Sequence, residues 1–362
     1  MNMILFYANY AAPYEGNFIA SQRSLIIRLK EKGFNVLFML PRSACDLTWV
    51  NKLEEEVQVV YLPDKRWQRV NVFRRIFRSY QVIFIHVHFL SGPQNEELKI
   101  GMRLAGKQVP VIHHFHNHYT PGKHPAKREM KRYFLRGDYL VGCSLGVAEG
   151  LKQAGLKNPI DYVENAIDFG RLPDDRAGNM DKYRGTFLIF GFEYERKGVD
   201  LAVEACEKLR KKYPEIKLNI CLAANRKYAE KKLKEHLGEI PGWINLLPPT
   251  DKIGKYYQKA MAFLSPSKEE GFCYSVVEAA YCGCAVIASR ISGQDGIRIA
   301  HLRWCRPNDV EDLAYNMEKI IQMSEEEQKE LGKCLHREAK ENYCLGKWVK
   351  EMLLYYQKNG FL

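Results

Sequence analysis

The sequence predicts an α/β protein made of two doubly wound, Rossmann-like domains that face each other across a cleft. Short apolar runs alternate with amphipathic helical patterns in the first half, a polar segment interrupts them near residues 168–185, and the alternation then resumes. Near-continuous apolar strands separated by helices are typical of a parallel sheet covered on both faces. A length of 362 residues suits two domains of ordinary size.

The first domain is predicted to span residues 1–170. Its first strand is "MILFYAN", and the helix "FIASQRSLIIRLKEKG" ends at Gly33. Further strands follow in the order "NVLFML", "VQVVYL", "QVIFIHVH", "PVIHHFH" and "YLVGCS".

A linker at residues 171–185, rich in polar residues and glycine, precedes the second domain, predicted at residues 186–340. There the strand pattern restarts with "TFLIFGF" and continues through "KLNICLA", "INLL", "MAFLS" and "AVIAS". Ligands of such sheets sit outside the carboxyl ends of the strands, so both domains are expected to direct loops into the cleft. Residues 341–362 form a final helix that we expect to pack back on the first domain.

The composition indicates the cellular location of the protein and the charge of its partners. No apolar run is long enough to span a bilayer, and the N-terminus lacks the basic region of a signal peptide, so we expect neither secretion nor membrane insertion. Ten scattered cysteines are expected to be reduced, in the cytoplasm. The net charge of +12 favours an anionic partner, which could be nucleic acid, a phosphate-bearing ligand or an acidic membrane.

The segment "EEGFCYSVVEA" at residues 269–279 carries two acids, Glu270 and Glu278, around a predicted helix start. They could form a surface charge pair, a metal site, an acid/base pair or a clamp on a polar ligand. Gly271 places Glu270 on a loop and Glu278 inside the helix, which suits an acid/base pair poorly. Free N–H groups and the helix dipole would bind an anion between the two acids. A clamp would therefore fit a nucleotide sugar, while a solvated acidic surface remains the alternative.

Several motifs resemble one enzyme family. "SPSKEEGFCYSVVEAAYCGCAVIAS" resembles the donor-site signature of the retaining GT-B glycosyltransferases of the family 4 group. The likeness covers nearly the whole chain. It includes "GFEYERKGVDLAVEA", "VENAIDFGRL", "RPNDVEDLAYNMEKII", "VGCSLGVAEGL" and "VIHHFHN".

The resemblance implies roles for individual residues. Glu278 would accept hydrogen bonds from the ribose, and Glu270 would bind a hydroxyl of the donor sugar. Lys197 would neutralise the diphosphate, with Gly16 letting the backbone approach it. Backbone N–H groups of the helix start would hold the diphosphate at Phe272, Cys273, Tyr274 and Ser275. No metal or other cofactor would be needed.

The chain departs from the family pattern at Phe192, where the family usually has an arginine that binds the diphosphate. The neighbouring Arg196 could replace it, or could be an ordinary surface residue. Ala166 and the segment "CLAANR" are further departures.

Histidines are concentrated between His86 and His124. If this stretch is a strand, His114, His116 and His118 lie on the same face of it, so a metal site is one alternative. The resemblance instead aligns His116 with the family's cleft histidine, which contacts the donor sugar. The departing phosphate, rather than His116, would take the acceptor proton. For the other histidines in this stretch we expect structural packing.

Two basic segments lie in the first domain, at residues 65–80 and 123–136. In a helix, "KRWQRVNVFRRIFRSY" would present an apolar stripe with most arginines beside it. The stripe could pack on the core, or the helix could lie on anionic lipid.

These observations predict a metal-independent retaining glycosyltransferase, peripheral at the inner face of the membrane. It would move a hexose or N-acetylhexosamine from a nucleoside diphosphate sugar, with UDP favoured, to a lipid-linked or saccharide acceptor in surface polysaccharide synthesis. A sugar-nucleotide epimerase of the same fold and an inactive GT-B scaffold that serves as a partner protein remain alternatives. The sequence has no nucleic-acid-binding motif, so specific nucleic-acid binding is not expected.

Overall fold

A computed structural model of the chain describes residues 2–117, 134, 137–173, 184–222, 225–250 and 252–362. These residues divide into two compact units, Met1–Ala166 with Leu345–Leu362, and Ile167–Cys344. Most of the predicted linker and of the basic segment 123–136 lies outside the described residues, as does His118.

In the first unit, the described residues form a seven-stranded sheet of order β3-β2-β1-β4-β5-β6-β7, with parallel pairing throughout. The strands are β1 Asn2–Ala8, β2 Asn35–Pro41, β3 Gln58–Leu62, β4 Gln81–His88, β5 Val111–Phe115, β6 Tyr139–Gly142 and β7 Ile160–Tyr162. The helices are α1 Gly16–Glu31, α2 Thr48–Glu56, α3 Arg66–Ser79, α4 Gly92–Leu104, α5 Leu145–Gln153 and, from the end of the chain, α13 Leu345–Lys358.

Strand β1 shows why this sheet needs helices on both faces. Alternate side chains of a strand point to opposite faces, and both sets are apolar here. One set belongs to a core with α1, α2 and α13, and the other to a core with α3 and α4. The first set is Ile4, Phe6 and Ala8, and the second is Met3, Leu5 and Tyr7.

In the second unit, the described residues form a six-stranded parallel sheet of order β10-β9-β8-β11-β12-β13. Its strands are β8 Thr186–Phe190, β9 Lys217–Cys221, β10 Ile244–Leu247, β11 Ala262–Ser265, β12 Ala285–Ser289 and β13 Arg303–Cys305. Its helices are α6 Val199–Arg210, α7 Arg226–Leu237, α8 Gly254–Gln258, α9 Tyr274–Tyr281, α10 Ser292–Asp295, α11 Val310–Ile321 and α12 Glu325–Tyr343.

The strand orders confirm the prediction of two doubly wound parallel sheets. In each sheet the order reverses at one point, between β1 and β4 in the first unit and between β8 and β11 in the second. Loops that leave neighbouring strands in opposite directions open a crevice there. Of the predicted site residues, Gly16 follows β1, Lys197 follows β8 and Glu270 follows β11, whereas His116 follows the next strand, β5.

Among the described residues, no helix has the length and apolar character needed to cross a bilayer.

Helix α13 contributes Trp348, Met352 and Tyr356 to the core of the first unit, where all three are buried. We expect Met352→Ala to lower the free energy of unfolding by about 2–5 kcal/mol, because it opens a cavity in a packed core. Urea unfolding followed by circular dichroism measures the loss. Leu354→Ala on the same helix is the control, since Leu354 is 53% exposed. Equal losses in the two variants would contradict the packing described here.

Candidate functional site

The loop after β8 holds Lys197 against Glu270. The Lys197 Nζ atom lies 2.6 Å from Glu270 Oε1, and Glu270 is buried at 7% exposure. Gly198 allows this arrangement because it has φ of +69° and lies against the backbone of Pro266. A left-handed residue in close contact with another backbone segment requires glycine. Gly198 therefore fixes the β8 loop beside the loop that follows β11.

The loop carrying Glu270 is also held from its other side. Gly293 of α10 packs so closely that a Cβ atom there would lie 1.8 Å from the carbonyl oxygen of Glu270. These two close contacts fix the backbone of the loop at Pro266 and at Glu270.

Arg196 is a second cation on Glu270. Its Nη1 atom lies 3.1 Å from Glu270 Oε2 and donates to the carbonyl oxygen of Glu269 at 2.9 Å. Its Nε atom pairs with Glu193. The structure thus places Arg196 on the acidic loop. Phe192, at the position of the family arginine, is 41% exposed.

Helix α9 begins directly after this loop. Cys273 is its N-cap residue and supplies no side-chain cap to the helix. Phe272 and Cys273 are buried, whereas Tyr274 and Ser275 are half-buried. The positive end of the α9 dipole therefore lies a few residues from Glu270, as the predicted anion site requires.

Glu278, buried in α9, binds two side chains that the sequence did not reveal. Arg171 Nη2 lies 3.2 Å from Oε1, and the Tyr257 hydroxyl donates to Oε2 at 3.1 Å. Burial, together with the Glu278 charge, raises the pKa of Tyr257, so the phenol stays protonated and donates. Both carboxylate oxygens are thereby oriented.

In the first unit, Gly16 begins α1 shortly after β1, with φ of +61°. A Cβ atom there would lie 3.2 Å from the Tyr10 hydroxyl oxygen. The left-handed conformation favours glycine and leaves its backbone uncovered by a side chain, as an approach of diphosphate would require.

His116 follows β5 and is half-buried. Its Nε2 atom lies 3.0 Å from Nδ1 of His88, at the end of β4. Behind this pair, His86 Nε2 lies 3.2 Å from His114 Nδ1, and His86 Nδ1 lies 2.5 Å from the Tyr356 hydroxyl. Burial lowers the pKa of all four imidazoles, that of His114 to about 3, so they are neutral at physiological pH. The histidines therefore pack as a connected cluster.

We expect Gly198→Ala to destabilise the protein by more than the 1–2 kcal/mol, roughly, of left-handed strain. A Cβ atom at this position would lie 2.2 Å from the carbonyl oxygen of Pro266. The matched control is Gly106→Ala, because Gly106 has φ of +67° and nothing within 4 Å of its Cβ position. Chemical unfolding of both variants separates the cost of the steric clash from that of the backbone conformation. An equal loss of unfolding free energy in the two variants would show that the close contact is unimportant.

Two family models match the chain. Glycosyl transferases group 1 covers residues 175–334, and Glycosyltransferase Family 4 covers residues 23–171. The first match contains Arg196, Lys197, Glu270 and all of α9, and the second contains His116.

Curated relatives are also glycosyltransferases by name. An uncharacterized glycosyltransferase of Haemophilus influenzae is 26% identical over 41% of this chain and 42% of its own length. A Homo sapiens relative, one of the subunits of phosphatidylinositol N-acetylglucosaminyltransferase, is 26% identical over 75% of this chain and 59% of its own length. The chain thus spans about half the length of these two relatives.

Among solved structures, Anabaena HepE in complex with UDP and glucose matches with a TM-score of 0.76 at 14% sequence identity, over 98% of this chain and 99% of HepE. The likeness concerns the fold. The two family models, which together match most of the chain, show that it belongs to the GT-B glycosyltransferases of the family 4-like group.

Proposed function

We propose that the protein transfers a hexose or N-acetylhexosamine from a UDP-sugar to a lipid-linked or saccharide acceptor, with retention of the anomeric configuration. The observation that carries this proposal is the ion pair between half-buried Lys197 and buried Glu270, beside the start of α9. It combines a cation, an acceptor of hydroxyl hydrogen bonds and a helix N-terminus. These are the groups that the diphosphate and sugar of such a donor need.

Glu278 is proposed to bind the ribose. Arg171 and Tyr257 donate to its two oxygens and orient them, and an ionised carboxylate accepts several hydrogen bonds at once. Two ribose hydroxyls can therefore donate to a carboxylate whose orientation is already fixed. Arg171 and Tyr257 act here as positioning residues.

Lys197 and Arg196 are proposed to stabilise the leaving diphosphate. Negative charge grows on the diphosphate as the bond to the sugar breaks, so fixed cations stabilise the transition state more than the bound donor. The Arg196 guanidinium has five N–H donors, and its contacts with Glu193, Glu269 and Glu270 leave others for phosphate. Arg196 would in this way replace the arginine missing at Phe192.

His116 is proposed to contact the donor sugar, and the departing phosphate would take the acceptor proton. No cofactor takes part in this chemistry, and no divalent metal is needed for transfer. A neutral His116 agrees with this role, because it can donate or accept a hydrogen bond without adding charge beside the sugar.

The names of similar proteins support the substrate classes. HepE has been solved with UDP and glucose, and the human relative belongs to a phosphatidylinositol N-acetylglucosaminyltransferase. These point to a UDP-sugar and a lipid acceptor. Because the human relative is named as one subunit of its enzyme, an inactive partner protein is the second candidate function. A sugar-nucleotide epimerase is a further alternative, since it would use the same donor site without an acceptor.

We expect UDP, but neither GDP nor ADP, to stabilise the protein by about 2.7 kcal/mol at 100 times its dissociation constant. Glu278→Ala is expected to abolish the stabilisation, because the ribose loses its carboxylate. Thermal unfolding with each nucleotide measures the effect, and Glu239→Ala, at an exposed acid of the same unit, is the control. If no nucleotide stabilises the wild-type protein, the donor-site proposal fails.

A turnover assay distinguishes a glycosyltransferase from the two alternatives, an inactive partner protein and an epimerase. Purified protein supplied with UDP-sugars and lipid acceptors should form a glycoside whose anomeric configuration, read by NMR, is that of the donor. Nucleotide binding without turnover would favour the inactive partner protein, and conversion of the donor sugar alone would favour the epimerase.

We further propose that α3 brings the first unit to an anionic membrane. The apolar stripe predicted in this segment packs on the core, and Arg69 makes two hydrogen bonds with buried Glu97. These groups are therefore not available to lipid. Around the same helix, Lys65, Arg75, Arg78 and the 65%-exposed Trp67 face solvent. Cations beside an exposed tryptophan suit the interface of an anionic bilayer.

We expect the triple variant Lys65→Gln, Arg75→Gln, Arg78→Gln to bind phosphatidylglycerol vesicles at least tenfold more weakly than wild type. Each cation near an anionic surface contributes about 1 kcal/mol. Vesicle co-sedimentation measures the affinity, with phosphatidylcholine vesicles as the uncharged comparison. The matched control replaces three exposed lysines of the second unit, Lys211, Lys227 and Lys234, by glutamine. Equal weakening by both triples would assign binding to net charge rather than to α3.

A further inference from the structure

The carboxyl ends of β4 and β5 bring three buried histidines together in the first unit. We propose that His86, His88 and His114 form a binding site for one divalent transition-metal ion, of which Zn²⁺ is the representative. A ring nitrogen from each of the three can be chosen so that all lie within 4.8 Å of one another. This site goes beyond the proposed transfer reaction, which uses no metal.

The spacing is close to that of a coordination shell. Zn²⁺ binds imidazole nitrogen at about 2.0–2.1 Å, so two ligands of a tetrahedral ion lie about 3.3–3.4 Å apart. His86 Nε2 and His114 Nδ1 are 3.2 Å apart, and their rings are nearly parallel, at 1°. The third nitrogen, from His88, lies within 4.8 Å of both, so this side chain would have to move toward them on binding.

The cluster holds more imidazole nitrogens than its hydrogen bonds use. Within the described part of the chain, His88 Nε2 is buried and has no partner, so it is available as a ligand beside His86 Nε2 and His114 Nδ1. A buried polar atom without a partner is unfavourable, and a bound ion would relieve that cost.

The chemistry of the ligand set also suits a transition metal. The group contains neither a thiolate nor a carboxylate. An all-imidazole set favours Zn²⁺, Cu²⁺ or Ni²⁺ over Mg²⁺ and Ca²⁺, which prefer oxygen ligands.

Neighbouring groups supply an orienting contact and a fourth position. The Tyr356 hydroxyl lies 2.5 Å from His86 Nδ1, and such an outer contact fixes the ring orientation of a metal-binding histidine. His116 lies beside His88 and is half-buried, so it stands between the triad and solvent. It could complete the shell directly or through a water molecule. A bound ion would then join β4, β5 and, through Tyr356, α13.

The test is titration of the chelator-stripped full chain with Zn²⁺. We expect one ion per chain by elemental analysis and a higher melting temperature on loading. His88→Gln and His114→Gln should each weaken binding at least tenfold, because each removes a ligand. Tyr356→Phe keeps the packed ring and should weaken binding by about tenfold or more through the orienting contact.

His236→Gln is the matched control, since His236 is exposed in the second unit and pairs with Glu207. Circular dichroism establishes whether each variant is folded. If a histidine variant does not fold, Tyr356→Phe is used in its place to test the metal site. Absence of stoichiometric binding by folded wild type, or equal affinity in all variants, would overturn the site and leave a metal-free cluster. UDP binding by the same samples is a separate measurement, so failure of the donor proposal would not affect this result.

Discussion

The candidate donor site depends on one ion pair, between Lys197 and Glu270, that joins the loops after β8 and β11. Removing two charges from water costs free energy, and a pair regains it only with close geometry and further hydrogen bonds. Here those conditions are met by a 2.6 Å contact and by Arg196 on the second carboxylate oxygen. The pair is thus better explained as preorganisation of a site than as a source of stability.

Glu278, within α9, is likewise held in a fixed orientation before any ligand binds. An acid inside a helix could turn toward several neighbours, but Arg171 and Tyr257 each hold one oxygen. Both acids of the motif are therefore fixed by cations or hydroxyls from distant parts of the second unit. A ligand meeting them would find oriented acceptors and would lose less entropy on binding.

Much of the fold was predictable because strands and helices can be recognised from the pattern of apolar residues within short stretches of sequence. Strand and helix patterns indicated the two parallel sheets, and Gly271 was enough to separate Glu270 on its loop from Glu278 in its helix. The partners of Glu278 were not predictable, because Arg171 is 107 positions away and nothing local marks it. The histidine cluster was missed for a related reason. Alternation along a strand places His86 with His88, but only the sheet order and register bring His88 opposite His114.

The placement of α13 has a consequence for how the protein is made. The second unit is continuous in sequence, whereas the core of the first unit includes Trp348, Met352 and Tyr356 from α13. During synthesis, the N-terminal segment therefore leaves the ribosome long before the helix that completes its core. The second unit can finish folding first, although domains usually fold in order from the N-terminus. Until α13 arrives, the part of the first sheet's apolar face that α13 covers stays open, and this interval is when the nascent chain is most exposed to aggregation.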